Sequence, residues 1–123
     1  MDIQQREMLE KAGVEVEKSL HRLLDNEELY RRFLIRFLED DTFQRIGAAR
    51  NAADPREMEM AAHTLKGVAG NLGMAPLYVC CREMVEKLRE GDMAGALEAH
   101  DRLIIAYADL CPALENLREG GDA

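Results

Sequence analysis

The sequence predicts an all-α domain, an antiparallel four-helix bundle with an additional short N-terminal helix or helices. Three observations support this prediction. Helix-favouring residues such as Ala, Leu, Glu, Met and Arg dominate the 123 residues, and only three residues are prolines. Apolar residues recur at steps of three and four, whereas the runs of β-branched and aromatic residues that mark strands are missing. The breaks between the periodic segments are short, which favours antiparallel neighbours in one domain.

The N-terminal segment, residues 1–13, is predicted to be an arm or a short, weak helix that ends where Gly13 interrupts it. A helix with apolar residues at helical spacing then covers residues 14–24. The Asp-Asn pair that follows can end this helix and cap the next one. We expect that next helix to continue without a break to about Ala52, and it holds four of the six aromatic residues.

Capping signals delimit the two helices that follow. An aspartate stands directly before Pro55, which combines an N-cap with a proline in the first turn, and the helix opened there ends near Gly73. Pro76 lies at the start of another helix, which Gly91 stops.

The last helix is predicted to begin near Asp92, and Pro112 is expected to kink or restart it. We therefore assign residues 14–119 to the bundle and residues 120–123 to a disordered tail.

The formal net charge of −8 argues against several kinds of partner. Free nucleic acid and anionic membranes would repel such a surface, and no basic stripe is visible. No apolar stretch approaches the roughly 20 residues that span a bilayer, and the polar N-terminus is not a signal peptide. We expect a cytoplasmic monomer that binds neither nucleic acid nor membrane. The odd count of three cysteines predicts free thiols, and no metal site is expected.

The segment from His63 to Gly73 is the most informative part of the chain. At about 100° per residue its leucines share one face of the helix, and the opposite face carries His63, Lys66, Gly67 and Gly70. The imidazole is therefore expected to point toward water, beside a cation. Two glycines inside a helix cost roughly 1 kcal/mol each relative to alanine, which close approach by another molecule would explain. Packing against another helix of the bundle is not expected, because the glycines lie opposite the leucines.

Other residues on or beside the histidine line are candidates for contact with a partner. They share this side of the helix rather than the leucine side. The predicted docking residues are Arg56, Glu59, Met60, Gly70, Asn71 and Met74.

This residue set suits phosphoryl chemistry. A neutral imidazole is a competent nucleophile near pH 7, and Lys66, one turn beyond His63, can place an ammonium beside a phosphoryl group. Gly67 leaves room for that group above the ring. The sequence shows no nucleotide-binding loop, acidic metal cluster or triad partner, so a second protein must supply what phosphoryl transfer further requires.

The motif HTLKG-x-A-x-NLG at residues 63–73 closely resembles that of histidine-containing phosphotransfer (HPt) domains. The helix after it and the segment 20–37 are also similar to the family, so the resemblance covers about residues 14–110. Val85 departs from the pattern, since many members have a glutamate there. Residues 1–12 match nothing that we can assign in the family.

The resemblance implies a four-helix bundle that shuttles a phosphoryl group in two-component phosphorelays and has no catalytic power of its own. It implies that His63 is the phosphorylated histidine, with Lys66 and Gly67 flanking the phosphoryl group. The implied partners are receiver domains of response regulators, which supply the aspartate and the Mg²⁺ site, with a hybrid sensor histidine kinase upstream. The chain itself would then need no cofactor.

Two alternatives compete with this interpretation. One is a helical protein-interaction module that retains the bundle and is never phosphorylated, although the intact His63, Lys66 and Gly67 argue against it. The other is a histidine-using hydrolase, which lacks the accompanying base, acid and metal groups. His21 and His100 are interpreted as structural, since His100 falls in the apolar stripe of the last helix.

Overall fold

The computed structural model, described for residues 1–120, confirms the all-α prediction, since no strand occurs in this range. A 3₁₀ turn, Phe37–Glu39, follows the third of seven α-helices. The predicted tail at 120–123 lies outside the described residues except for Gly120. The helices are α1 (Ile3–Lys11), α2 (Val16–Arg22), α3 (Glu27–Arg36), α4 (Thr42–Asn51), α5 (Pro55–Leu72), α6 (Ala75–Arg89) and α7 (Met93–Glu119).

Helices α4 to α7 form the predicted antiparallel bundle, in which each helix packs against the next along the chain. Side-chain contacts between α4 and α7 close it and show their opposite directions. Gln44, near the start of α4, lies 3.4 Å from the hydroxyl of Tyr107, whereas Arg50, near the end of α4, bonds Asp101 at 2.7 Å. The largest fully buried side chains of the bundle are Ile46, Met58, Leu65, Leu77, Met84, Leu103, Leu110 and Leu114.

Helix α5 follows from its local sequence. The Asp54 carboxylate accepts the backbone N–H of Glu57 at 3.1 Å, Pro55 occupies the first turn, and Gly73 ends the helix in the left-handed conformation (φ 75°). All three signals were predicted. The predicted apolar face is buried at Met58, Ala61, Ala62, Leu65, Ala69 and Leu72, and only half-buried at Val68.

The single helix predicted up to Ala52 is wrong, because the chain divides there into α3, the 3₁₀ turn and α4. The Asp40 carboxylate accepts the backbone N–H of Thr42 at 2.8 Å, which starts a new helix after an extended residue. The N-cap residue of α4 is Asp41, whose side chain makes no capping hydrogen bond, so the adjacent Asp40 supplies the local signal for this break. The helix predicted over 14–24 is also shorter and covers Val16–Arg22.

The N-terminal segment is a helix rather than a loose arm. Helix α1 packs against α7, and its Leu9 is completely buried in the same core as the bundle. The Asp2 carboxylate caps α1 through the backbone N–H of Gln5 at 2.8 Å. The division between residues 1–13 and the bundle stays a prediction.

Pro112 does not restart α7, which runs unbroken through it. Pro112 and Ala108, the residue one turn earlier whose carbonyl loses its helical partner, are both exposed, so water can satisfy that carbonyl. None of the described helices combines the length and the hydropathy needed to cross a bilayer.

Candidate functional site

His63 lies on the exposed face of α5, as predicted. Within residues 1–120 its ring makes no hydrogen bond and no ion pair. Its neighbour Thr64 turns its hydroxyl back to the carbonyl of Met60 at 3.1 Å, so that hydroxyl does not engage the ring. The imidazole is therefore accessible to another molecule.

Lys66 lies one turn beyond His63 and is half-buried. Its charge reaches Cys81, a buried residue of α6. Burial raises the pKa of the Cys81 thiol to about 12, and the Lys66 ammonium acts in the opposite direction. Within the described residues Lys66 forms no ion pair.

Gly67 lies open to solvent. A Cβ placed on it would meet no heavy atom within 4 Å outside its own helix backbone. Tight packing therefore does not account for this glycine, as the sequence predicted. The helix surface beside His63 is flat and bears no side chain at this point.

Gly70 differs from Gly67, and the expectation that no helix packs against it is wrong. A Cβ there would lie 3.3 Å from Cδ1 of Tyr78, an α6 residue that the sequence analysis did not single out. Gly70 therefore leaves room for the Tyr78 ring, which packs against it. No local sequence signal indicates this contact, because it depends on how α5 and α6 cross.

The expectation that Met74 shares the exposed side is also wrong, because Met74 is completely buried. The helix ends at Leu72, and the left-handed Gly73 redirects the chain, so the angular position of a helical residue no longer applies beyond it. Met74 instead precedes α6 and pairs by a β-bridge with Val14.

The other predicted docking residues occupy the surface. Arg56 and Asn71 are exposed, and Met60 is 55% exposed although it is apolar. Glu59 is half-buried and accepts a hydrogen bond from Nε of Arg89 on α6 at 3.0 Å. The exposed face of α5 thus carries all the predicted residues except Met74.

Side chains of α2 and α3, absent from the sequence-based site, hold the carboxyl end of α5. Arg22 donates to the carbonyls of Gly70 and Asn71 at 3.3 and 3.5 Å, and the Tyr30 hydroxyl donates to that of Leu72 at 2.8 Å. These bonds satisfy carbonyls that a helix end leaves without partners. They fix the end of α5 on which the site is built.

Two grooves flank this end of α5. One, of about 300 Å³, has Phe33, Arg36 and Val68 in its wall, and the other, of about 320 Å³, has Arg22 and Tyr78. Each combines apolar surface with one arginine and one carboxylate, since Asp40 lines the first groove and Glu15 the second. His63 lines neither groove.

No metal-binding cluster accompanies His63 in the described part of the chain. The histidines, cysteines and carboxylates of residues 1–120 form no group of three that could hold a metal ion. Cys80, Cys81 and Cys111 are free thiols. The arrangement presents a nucleophile and a cation to an incoming group.

Comparison with known proteins agrees with the motif. A family model described as Hpt domain matches residues 7–120, so the match begins inside α1 and extends beyond the 14–110 expected from the sequence. No curated protein and no solved structure shows significant similarity to the chain. Hpt domains are phosphotransfer modules of two-component signalling that interact with receiver domains of response regulators. The match spans nearly the whole chain, and we conclude that this protein belongs to the Hpt domain family.

Proposed function

We propose that this protein is a phosphorelay intermediate that carries the phosphoryl group on His63. It receives the group from the phosphorylated aspartate of one receiver domain, or from a histidine kinase relay, and passes it to another receiver domain. The observation that carries this proposal is the environment of His63, an exposed imidazole without a partner beside an open glycine.

The transfer is an in-line displacement at phosphorus. The lone pair of one ring nitrogen of His63 forms the N–P bond as the bond between phosphorus and the aspartyl oxygen breaks. The aspartate leaves as a carboxylate with the electron pair of that bond, and the other ring nitrogen carries the hydrogen. The reverse sequence delivers the phosphoryl group to the next aspartate.

The chain contributes nucleophile, charge and space. The Lys66 ammonium, one turn from His63, is placed to offset the charge of the phosphoryl oxygens. Gly67 lets the receiver's active centre approach within reach of the ring. The receiver domain supplies the Mg²⁺ and its acidic ligands, and we expect this chain to bind no cofactor of its own.

We propose that the receiver docks over Arg56, Glu59, Met60, Gly70 and Asn71. Exposed Met60 and the walls of the two grooves offer apolar contact, and each groove adds one arginine and one carboxylate, Arg36 with Asp40 and Arg22 with Glu15. Met74 has no place in this surface because it is buried.

Transfer from a receiver domain tests the proposal. The chain is mixed with a receiver domain phosphorylated on its aspartate in the presence of Mg²⁺, and acid-labile, base-stable label on the chain is measured. Wild type and His100→Gln should both be labelled, since the buried His100 is inaccessible. His63→Gln should show no label.

Label retained by His63→Gln would place the acceptor elsewhere. If several receivers transfer nothing to a folded wild type, the alternative applies, namely an interaction module that retains the fold and is not phosphorylated. Binding of a phosphorylated receiver without transfer of its phosphoryl group would favour that alternative directly.

A further inference from the structure

One exposed residue of α6, Arg82, has no place in the site as described so far. Two observed contacts define where it lies. Near the start of α5, Glu59 bonds Arg89, and near its end Gly70 lies against Tyr78. The two contacts are eleven residues apart on each helix and follow in opposite order along the chain. The pairing of α5 with α6 is therefore antiparallel and keeps the same register between the two contacts.

This register places Arg82 beside the acceptor. Arg82 is four residues after Tyr78, and Lys66 is four residues before Gly70, so the two cations lie level on neighbouring helices. His63 is one turn from that level. Tyr78, Arg82 and Arg89 also recur at steps of four and seven, which puts them on one side of α6, and both flanking members contact α5.

The position of the guanidinium is supported by Tyr78. The Arg82 Cζ atom lies 5.9 Å from the centroid of the Tyr78 ring, within the range of a cation–π contact. The ring in turn rests on Gly70, where a side chain would crowd it. Gly70, Tyr78 and Arg82 thus form a stack that begins on α5 and ends in a cation.

The charge of Arg82 is not used elsewhere in the described chain. It forms no ion pair within residues 1–120, and its one-turn neighbour Glu86 does not pair with it. By contrast, the flanking residues Glu83 and Arg89 are engaged with Arg102 and Glu59, respectively. Arg82 is therefore an exposed cation, braced by an aromatic ring, next to the proposed acceptor.

We infer that Arg82 is a second phosphoryl-binding cation, which acts with Lys66 on the group carried by His63. A phosphoryl group on histidine presents three oxygens with two negative charges, more than one ammonium can neutralise. A planar guanidinium can bind two of these oxygens at once. The inference rests on the proposed function and extends it to a residue outside the motif.

Transfer at saturating receiver concentration tests this role. Compared with wild type, Arg82→Gln should lower the rate about tenfold, as expected for loss of one charged donor at an exposed site. Arg82→Lys should restore part of the rate, because it retains the charge. Arg118→Gln, the same change on the last turn of α7, should stay within about twofold of wild type.

A small phosphoryl donor separates contact with the phosphoryl group from contact with the receiver. Phosphoramidate transfers its phosphoryl group to imidazole and releases ammonia, without any receiver present. Arg82→Gln should slow this labelling of His63 as well. If only receiver-dependent transfer slows, Arg82 is a docking residue and the inference is overturned.

A double-mutant cycle tests the bracing by Tyr78. Tyr78→Phe keeps the ring and should transfer at the wild-type rate, whereas Tyr78→Leu should transfer about threefold more slowly. Tyr78→Leu should add nothing in the Arg82→Gln background, because the two residues act as one unit. If Tyr78→Leu slows transfer as much in the Arg82→Gln background as in wild type, the two residues act independently and the proposed bracing by Tyr78 is refuted.

Failure of this inference is distinguishable from failure of the proposed function. If wild type is labelled on His63 and Arg82→Gln matches Arg118→Gln in rate, only the role of Arg82 is refuted. If wild type itself accepts nothing, the phosphorelay function is refuted. Thermal unfolding of the Arg82 variants should match wild type, since Arg82 is exposed, and a lowered midpoint that accounts for the slower transfer would count against the inference.

Discussion

Helices α5 and α7 each carry a histidine, and the two residues occupy opposite environments. His100 is buried in α7, where its Nδ1 lies 2.9 Å from Nη1 of Arg50 and its ring lies beside Phe43. His63 is exposed on α5 and meets no partner in the described chain. Both helices are well formed and belong to one core. What distinguishes the two histidines is the direction in which each ring faces.

The comparison shows how packing assigns different chemistry to one side chain. Burial and the Arg50 charge lower the pKa of His100. Because a guanidinium can only donate, Nδ1 of His100 accepts the hydrogen bond from Arg50. That ring contributes to the fold and is closed to reagents. The His63 ring is exposed and forms no hydrogen bond with the described residues, so its modification is not expected to unfold the bundle.

Filling the space beside His63 should sharpen the contrast most. Gly67→Leu is expected to slow transfer from a receiver about 100-fold, since a small displacement of the reacting atoms is costly. The fold should not suffer, because no atom lies within 4 Å of the added Cβ, and leucine favours helix over glycine by roughly 1 kcal/mol. Transfer kinetics and thermal unfolding measure the two effects.

Gly47 provides the matched control. It lies within α4, and a Cβ there also meets nothing within 4 Å. Gly47→Leu should gain similar stability and leave transfer unchanged. Collapse of the Gly67→Leu fold would show instead that this glycine serves packing, and equal transfer by both variants would remove the need for open space at His63.

Removing the cation beside His63 should have a smaller effect. Lys66→Gln is expected to slow transfer about tenfold at saturating receiver, because the charge of the phosphoryl oxygens is then less well offset. Lys66→Arg should retain most of the rate, since it keeps the positive charge. A Lys66→Gln protein as fast as wild type would assign the whole electrostatic role to other groups.

The smallest effect concerns the buried histidine. Because the folded-state pKa of His100 lies below the unfolded value of about 6.5, the unfolded chain binds this proton first as the pH falls. The free energy of unfolding should therefore be fully retained above that pH and decrease below it. The carboxyl of Asp101 titrates lower, since a hydrogen bond from Arg50 holds its pKa below the usual range.

Chemical denaturation between about pH 7 and pH 5 measures this dependence. His100→Gln should show a shallower loss of stability with acid than wild type, even if its stability at pH 7 is lower. Parallel curves for the two proteins would mean that His100 does not bind its proton differently on folding.

The sequence was most informative where structure is decided locally. The bounds of α5 follow from Asp54, Pro55 and Gly73, each of which acts within one turn of the helix end. The exposure of His63 follows from the leucines on the opposite face, because one helix turn relates the two. These features require no knowledge of any other helix.

Predictions failed where two distant segments meet. The sequence does not show that α6 crosses close to Gly70 and packs Tyr78 against it. It also does not show that Arg22 bonds the carbonyls at the C-terminal end of α5. Met74 was misplaced because a helical angle was continued past the left-handed Gly73. Such contacts depend on crossing geometry, which side chains from both helices decide together.

The docking of α1 has a practical consequence for dissecting this protein. Leu9 is fully buried against the rest of the core, and Gln5 crowds the space around Gly120 at the far end of α7. Deleting residues 1–13 to obtain a minimal module would expose the apolar surface of α7 that α1 covers, and exposed apolar surface promotes aggregation. Anyone grafting the module onto another scaffold should carry this leading helix along with it.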